Sequence, residues 1–213
     1  MTDVWSERAA AYREAPEQRE GRDLDRIASW IPAGATVLDV ATGGGHVARR
    51  LREDGHDVVT VDPAPGMRPD VVCRAEDLPF ADASFDAVVT RIAPHHFSDV
   101  PAAVAEMARV SGGLVIVEDT LYSSDEVEQA EKLRDPTHVR SYSEEHWRAF
   151  LGGAGLEVEE VAFEDKLHPF ESWLARTGCE GDEAERVRGL LGSRTEGDAW
   201  RDTKILLRAR KRR

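Results

Sequence analysis

Apolar positions along the chain fall into two alternating kinds of run. Thr36-Val37-Leu38-Asp39-Val40, Val58-Val59-Thr60-Val61-Asp62 and Leu114-Val115-Ile116-Val117 are short, nearly unbroken and β-branched, the mark of strands covered on both faces. Val71-Val72-Cys73 and Phe85-Asp86-Ala87-Val88-Val89 are weaker members of the same class. Val47 to Glu53 and Pro101 to Val110 carry helical spacing instead, with Val104, Met107 and Ala108 on one stripe and Pro101 suited to a first turn. Val4 to Glu14 and Arg19 to Trp30 read as helices ahead of the first strand, closed by the turn Ile31-Pro32-Ala33-Gly34. Past the fifth strand the pattern predicts a cap segment over about 120–142, a helix from Ser143 to Ala154 and a strand after Gly155. Helical pieces follow at Phe170 to Arg176 and Glu183 to Leu191, then a last strand from Thr203 to Leu207. Strands alternating with helices predict a parallel α/β sheet whose ligands bind at the carboxyl ends of its strands.

Composition narrows the function classes. With 213 residues, 41% of them apolar and 32% charged, one folded domain over residues 1–213 is expected. A net charge of −13 repels polyphosphates, so nucleic acid is not an expected partner. The basic tail Arg208, Arg210, Lys211, Arg212 and Arg213 reads as a solvated chain end. Cys73 and Cys179 have no CxxC spacing, so neither a disulfide framework nor a metal site is expected. Met1 to Arg13 lacks the apolar segment of a secretory signal, and no run reaches the ~18–20 apolar residues of a membrane span. A cytoplasmic protein without a membrane partner is the expectation.

The chemistry concentrates in Asp39-Val40-Ala41-Thr42-Gly43-Gly44-Gly45-His46-Val47-Ala48, where small residues between strand and helix let a ligand approach the backbone. Gly43-x-Gly45-x-x-Ala48 satisfies the loose dinucleotide fingerprint, with Asp62 about 20 residues on. Electrostatics separates the readings: a pyrophosphate is disfavoured beside Asp39, whereas a ligand carrying an ammonium and a sulfonium is favoured. S-adenosylmethionine has both cations and no phosphate. Asp62 could accept from its two ribose hydroxyls, and Pro63, Met67, Leu78 and Ile92 could line an adenine slot.

Here the chain resembles the class I S-adenosylmethionine-dependent methyltransferases, in particular the subgroup similar to ubiquinone and menaquinone C-methyltransferases (methyltransferase type 11). The agreeing blocks are Val37 to His46, Val61-Asp62-Pro63 with Pro65-Gly66-Met67, Ala75 to Phe80 with Ser84-Phe85-Asp86, His95-His96-Phe97 and Glu106 to Val110. Asp135 to Arg140 and Trp147 through Leu156 follow. The resemblance implies a Rossmann-like, doubly wound, mostly parallel seven-stranded sheet with an antiparallel last strand, helices on both faces and an N-terminal helical cover over about 1–30. It places Asp39, Ala41, Thr42, Gly43 and Gly45 around the amino-acid part of the cofactor, with His46 at the helix start near its carboxylate. It also sets Asp62 at the ribose, Ala75, Glu76 and Leu78 beside the adenine, and Arg91 and Ile92 along the methionine chain. Tyr12 either covers this site or packs on the sheet.

The chain departs from that family where only Pro63 to Pro69 joins the second and third strands, too short and too proline-rich for a helix. A loosely paired third strand is expected, with an exposed adenine side or a homodimer contact as arrangements the gap permits. Arg74 stands where the family has an acid for the adenine amino group. The turn Val110-Ser111-Gly112-Gly113 is trimmed as well.

Methyl transfer to a small-molecule acceptor needs alignment above all, and a base only if the acceptor must lose a proton. His95, His96 and His138 are the candidates, each with a packing or capping role as the competing reading. Arg140 is set either against an acidic acceptor group or in a surface ion pair. Trp147, Trp173 and Phe170 read as core and cap packing. Thr90-Arg91-Ile92-Ala93-Pro94-His95 stands in place of the Asn/Asp-Pro-Pro-Tyr/Phe run of enzymes that methylate base or glutamine amino groups. A catalytically inactive module that binds cofactor or protein is the alternative, motivated by the trimmed link. A nucleotide-dependent oxidoreductase rests on the glycine match alone.

Overall fold

The computed structural model describes residues 3–212, the side chains of Pro16 and Glu17 apart; Met1 and Thr2 of the expected cover and Arg213 of the basic tail lie outside the described residues. Among the described residues, eight strands form one sheet: β1 (Thr36–Val40), β2 (Asp57–Asp62), β3 (Val71–Val72), β4 (Phe85–Arg91), β5 (Ser111–Thr120), β6 (Leu156–Pro169), β7 (Thr195–Glu196) and β8 (Ala199–Lys211). Their order is β3-β2-β1-β4-β5-β8-β6, with the two-residue β7 paired off β8. The first five strands pair in parallel, and β8 runs antiparallel between β5 and β6. This is the mostly parallel seven-stranded arrangement expected, with β7 as an addition.

The helices are α1 (Val4–Glu14), α2 (Pro16–Arg19), α3 (Arg22–Trp30), α4 (His46–Glu53), α5 (Val100–Val110), α6 (Asp125–Arg134), α7 (Glu144–Gly153), α8 (Phe170–Ala175) and α9 (Gly181–Leu190). Alternate strand residues divide the core between the faces. Leu38, Val88, Val115 and Leu207 pack toward α5 and α7, whereas Val37, Val89, Ile116 and Leu206 pack toward α3 and α4. Starts were legible in side chains: Asp99 accepts from Ala102 N at 3.0 Å to open α5, and Ser143 from His146 N at 3.3 Å to open α7.

Two local outcomes differ from the sequence reading, and the loosely paired third strand agrees with it. The helix expected over Arg19 to Trp30 is two helices, broken at Gly21, where a Cβ would strike the Asp23 carboxylate. That break turns Asp23 inward. β3 keeps only two pairs to β2, Val61↔Val71 and Asp62↔Val72, steadied by Asp70, which accepts from Thr60 N and Oγ1 at 2.8 and 2.7 Å. The short link holds a 3-10 turn, Pro65–Met67, and α1 lies on it. Gly66 N donates to Ser6 Oγ and Arg13 donates to the Gly66 carbonyl, both at 2.8 Å. Ala9, Ala64 and Met67 close an apolar contact with Trp5 and Tyr12. A Cβ on Gly66 would lie 2.5 Å from Ser6 Cα, so the helix missing from the link is replaced by one from the N-terminus.

The second difference is the cap. β6 and β8 pair along their whole length, from Leu156↔Lys211 to Pro169↔Ala199, and α8 and α9 hang from the far end. Phe170, Trp173, Val187 and Trp200 pack with Val127 and Ala130 of α6. The expected segment 120–142 is therefore half of a cap completed by residues 170–191.

Candidate functional site

A cavity of about 600 Å³ opens above the carboxyl ends of β1, β2, β4 and β5, between the glycine loop, the N-terminal helices and the cap. Two backbone positions shape it. Ala41, just past β1, and Ile92, just past β4, have φ of 57° and 51°, a left-handed conformation that costs a non-glycine residue on the order of 1–3 kcal/mol and a β-branched one most. Hydrogen bonds hold both turns: Thr42 N donates to the Val61 carbonyl at 3.0 Å and Ile92 N to the Glu118 carbonyl at 2.8 Å. Each chain thus leaves its strand sharply and a crevice remains. Gly44 is needed for close approach, since a Cβ there would lie 2.5 Å from the Tyr12 carbonyl oxygen. His46 Nε2 meets that oxygen at 2.9 Å and must be the donor.

Three carboxylates line this half. Asp62 Oδ2 accepts from Gly43 N at 3.0 Å and Oδ1 from Ala64 N at 2.9 Å, so the side chain ties loop to link and keeps further lone pairs for a ligand. Burial raises its pKa above the usual carboxylate value. Glu76 Oε1 gathers Ser98 N, Ser98 Oγ and Asp99 N at 3.0, 2.8 and 3.3 Å. Arg74 turns to the same carboxylate and to Ser98 Oγ.

Asp39 is wholly buried; its Oδ2 accepts from Thr42 Oγ1 at 2.6 Å and Ala48 N at 3.2 Å. Burial pushes this carboxyl up to about 6. An acid raised by folding contributes stability that is full below its unfolded value and is lost as pH climbs through the folded one. Asp39→Asn keeps an acceptor oxygen without the charge. It is expected to be more stable than the parent at pH 8 by on the order of 2 kcal/mol, with the gap closing near pH 4 in urea denaturation. A gap independent of pH would show that Asp39 titrates as an exposed acid.

Arg91 lines the cavity but is spent on a buried network. Its Nε lies 2.8 Å from Asp23 Oδ2 and 3.1 Å from Glu118 Oε2, and Lys166 Nζ completes the set at 2.6 Å from Asp23. Burial pushes Glu118 up to about 7, whereas its cations hold Asp23 far below the ordinary range. This network fastens α3 to β4, β5 and β6.

The histidines gather at one end. His95 Nδ1 lies 2.5 Å from Asp119 Oδ1 at the tip of β5, and its ring centroid is 4.1 Å from that of His96 and 5.3 Å from that of His138. Burial disfavours charge on both partners, driving His95 down to about 3 and Asp119 up to about 7; the imidazole is neutral near pH 7. An imidazole oriented by a carboxylate can take a proton through its other nitrogen. His96 Nδ1 rests 3.0 Å from the Thr137 carbonyl and its ring is edge-on to Trp5.

Of the residues picked from sequence, Tyr12, Asp39, Ala41, Thr42, Gly43, His46, Asp62, Pro63, Met67, Ala75, Glu76, Arg91, Ile92, His95 and His96 line the cavity. Four do not. Gly45 turns the chain behind the loop at φ 75°, and Leu78 is buried in the core. His138 is buried behind His95 with Nε2 3.2 Å from Glu128, and Arg140 is exposed, 5.6 Å from the Tyr142 ring. Sequence reasoning missed Asp119, His168, Asp202 and Lys204, which complete the wall opposite or support it. The available signal was charge at strand ends: Glu118-Asp119 closes the apolar run of β5, and Asp202 and Lys204 flank Thr203 where a last strand was read.

No helix among the described residues is long and apolar enough to cross a membrane. A model described as a methyltransferase domain matches residues 5–161. The uncharacterized methyltransferase YcgJ of Bacillus subtilis (strain 168) is 30% identical over 224 residues, spanning 93% of this chain and 87% of that protein. The crystal structure of YcgJ protein from the same species superposes with a TM-score of 0.79 at 26% identity, over 90% of this chain and 98% of the other. A demethylmenaquinone methyltransferase of Beutenbergia cavernae is 42% identical over 96 residues, 39% of this chain and 40% of that one.

Proposed function

Because the chain belongs to the methyltransferase domain family, we propose that its cavity binds S-adenosylmethionine and that the protein transfers a methyl group from it to a small-molecule acceptor. The observation that carries this reading is the first half of the cavity: backbone left-handed at Ala41 and Ile92, a glycine loop closed by Tyr12, and the carboxylates Asp39, Asp62 and Glu76 facing one space. Those groups fit a phosphate-free, doubly cationic ligand with vicinal hydroxyls, and a pyrophosphate would meet like charge. The volume of about 600 Å³ suits a small ligand pair. The cavity is built despite the short link, which removes the motive for an inactive module.

Bound S-adenosylmethionine supplies a methyl group on a sulfonium, open to in-line displacement. Asp62 would accept from the ribose while holding the loop amide of Gly43, and Pro63 and Ala75 would flank the adenine. Arg91, neutralised by Asp23 and Glu118, anchors the floor. His95 is the group placed to draw a proton from the acceptor: it lines the cavity, and Asp119 would stabilise the imidazolium formed, opposing the burial that holds the ring's basicity low. His96, held by the carbonyl and hydroxyl of Thr137, has no carboxylate hydrogen-bonded to it.

Calorimetric titration tests the donor, with saturable binding of S-adenosylhomocysteine and none of NADH or NADPH expected. Incubation with methyl-labelled donor and an extract of the source cell should then label the small-molecule fraction. Binding of NADPH without S-adenosylhomocysteine would overturn the reading.

A further inference from the structure

Beyond the glycine loop the cavity ends on a wall made by β8 and β6. Trp200, Asp202 and Lys204 alternate along β8 and so share one face, and Thr120 of β5 stands opposite Lys204. Lys204 Nζ lies 2.6 Å from Asp202 Oδ2 and 2.7 Å from Thr120 Oγ1. An ammonium has three protons, so one is without a partner among the described residues. Asp202 Oδ1 is buried 3.1 Å from His168 Nε2, a charge contact that lacks good hydrogen-bond alignment. Both charged side chains are about 95% buried, at 5% and 4% exposure. The His168 ring lies against Trp200 with centroids 5.4 Å apart, and Trp200 is 4.7 Å from Trp173, which faces the cavity.

Burying an ion pair rarely stabilises a fold, and leaving the third ammonium proton unmet and the contact at Asp202 Oδ1 poorly aligned adds a further cost. Both costs are offset if a ligand completes the set. The mutual attraction of the pair keeps Lys204 cationic and Asp202 anionic. With no net charge it offers an ion attraction and repulsion together, whereas a group that both donates and accepts satisfies each partner.

We propose that Asp202 and Lys204 form the acceptor subsite and hold a neutral hydroxyl or carboxamide on the molecule to be methylated. This rests on the methyl-transfer reading above. Asp202 Oδ1 takes the hydrogen bond of the anchored group and Lys204 donates to its oxygen. Asp119, one residue before Thr120, holds His95 beside the same wall, so the anchored group and the reacting atom belong to one small molecule.

The test uses the full chain saturated with S-adenosylhomocysteine and four probes, phenol, benzamide, benzoate and benzylamine, followed by saturation-transfer NMR. Phenol or benzamide is expected to bind at least five-fold tighter than either ion. Lys204→Met should shift preference to benzylamine and Asp202→Asn to benzoate, each by about ten-fold, with binding of S-adenosylhomocysteine unchanged. Tighter binding of an ion to the parent protein, binding of none of the four, or unaltered preference in folded variants would overturn the subsite. The parent order decides alone should a variant not fold. Loss of S-adenosylhomocysteine binding in the parent would instead strike the donor reading, and the probes without it would still judge the wall.

Discussion

Arg91→Met is expected to lower folding stability by about 3–5 kcal/mol, the usual cost of removing one member of a buried ion set. Asp23 and Glu118 are 1% and 0% exposed and would keep only Lys166, whose Nζ is 3.8 Å from Glu118 Oε1. The loss should depend on pH. Glu118 already titrates at about 7 through burial, and without Arg91 its proton is held more tightly. An acid raised in the folded state gives stability below that value and forfeits it above, so the deficit should be larger at pH 8 than at pH 6. Urea denaturation at the two pH values measures this. A loss below about 1 kcal/mol at both would mean that the three side chains are solvated.

Asp62→Ala should weaken binding of S-adenosylhomocysteine by roughly 30- to 150-fold, or ~2–3 kcal/mol, the range for hydrogen bonds to a charged group. Two losses combine: the ribose acceptor proposed above, and the tie from Gly43 N to Ala64 N across the two loops. Asp62→Asn separates them, because an amide oxygen can still serve one backbone amide. Its affinity should fall between parent and alanine variant in calorimetry. A change under three-fold in the alanine variant would remove Asp62 from the ligand.

The central strands were legible because β1, β2 and β5 are buried on both faces and so carry nearly continuous apolar runs. The cofactor-side loop was legible because Gly43, Gly44 and Gly45 lie next to one another in sequence. β6 was underestimated: Glu157, Glu159, Glu160, Glu164 and Asp165 sit in an edge strand open to water, so its pattern reads as polar. The Arg91 network joins positions 23, 91, 118 and 166, and no local spacing foretells such a meeting. The break at Gly21, which turns Asp23 inward, carries a glycine signal that the helical periodicity around it outweighed. The short Pro63–Pro69 link was read correctly as lacking a helix, but that α1 would seat on it depended on Gly66 meeting Ser6 across sixty residues.

The cap has an apolar centre of its own. Val127, Ala130, Phe170, Trp173, Val187 and Trp200 cluster together, apart from the two layers that flank the sheet. Exchanges in this centre can therefore remodel Trp173 and its surroundings while the glycine loop and the strands beneath it go undisturbed. A lineage carrying such a plan can diversify what it modifies without having to reinvent how it holds its donor.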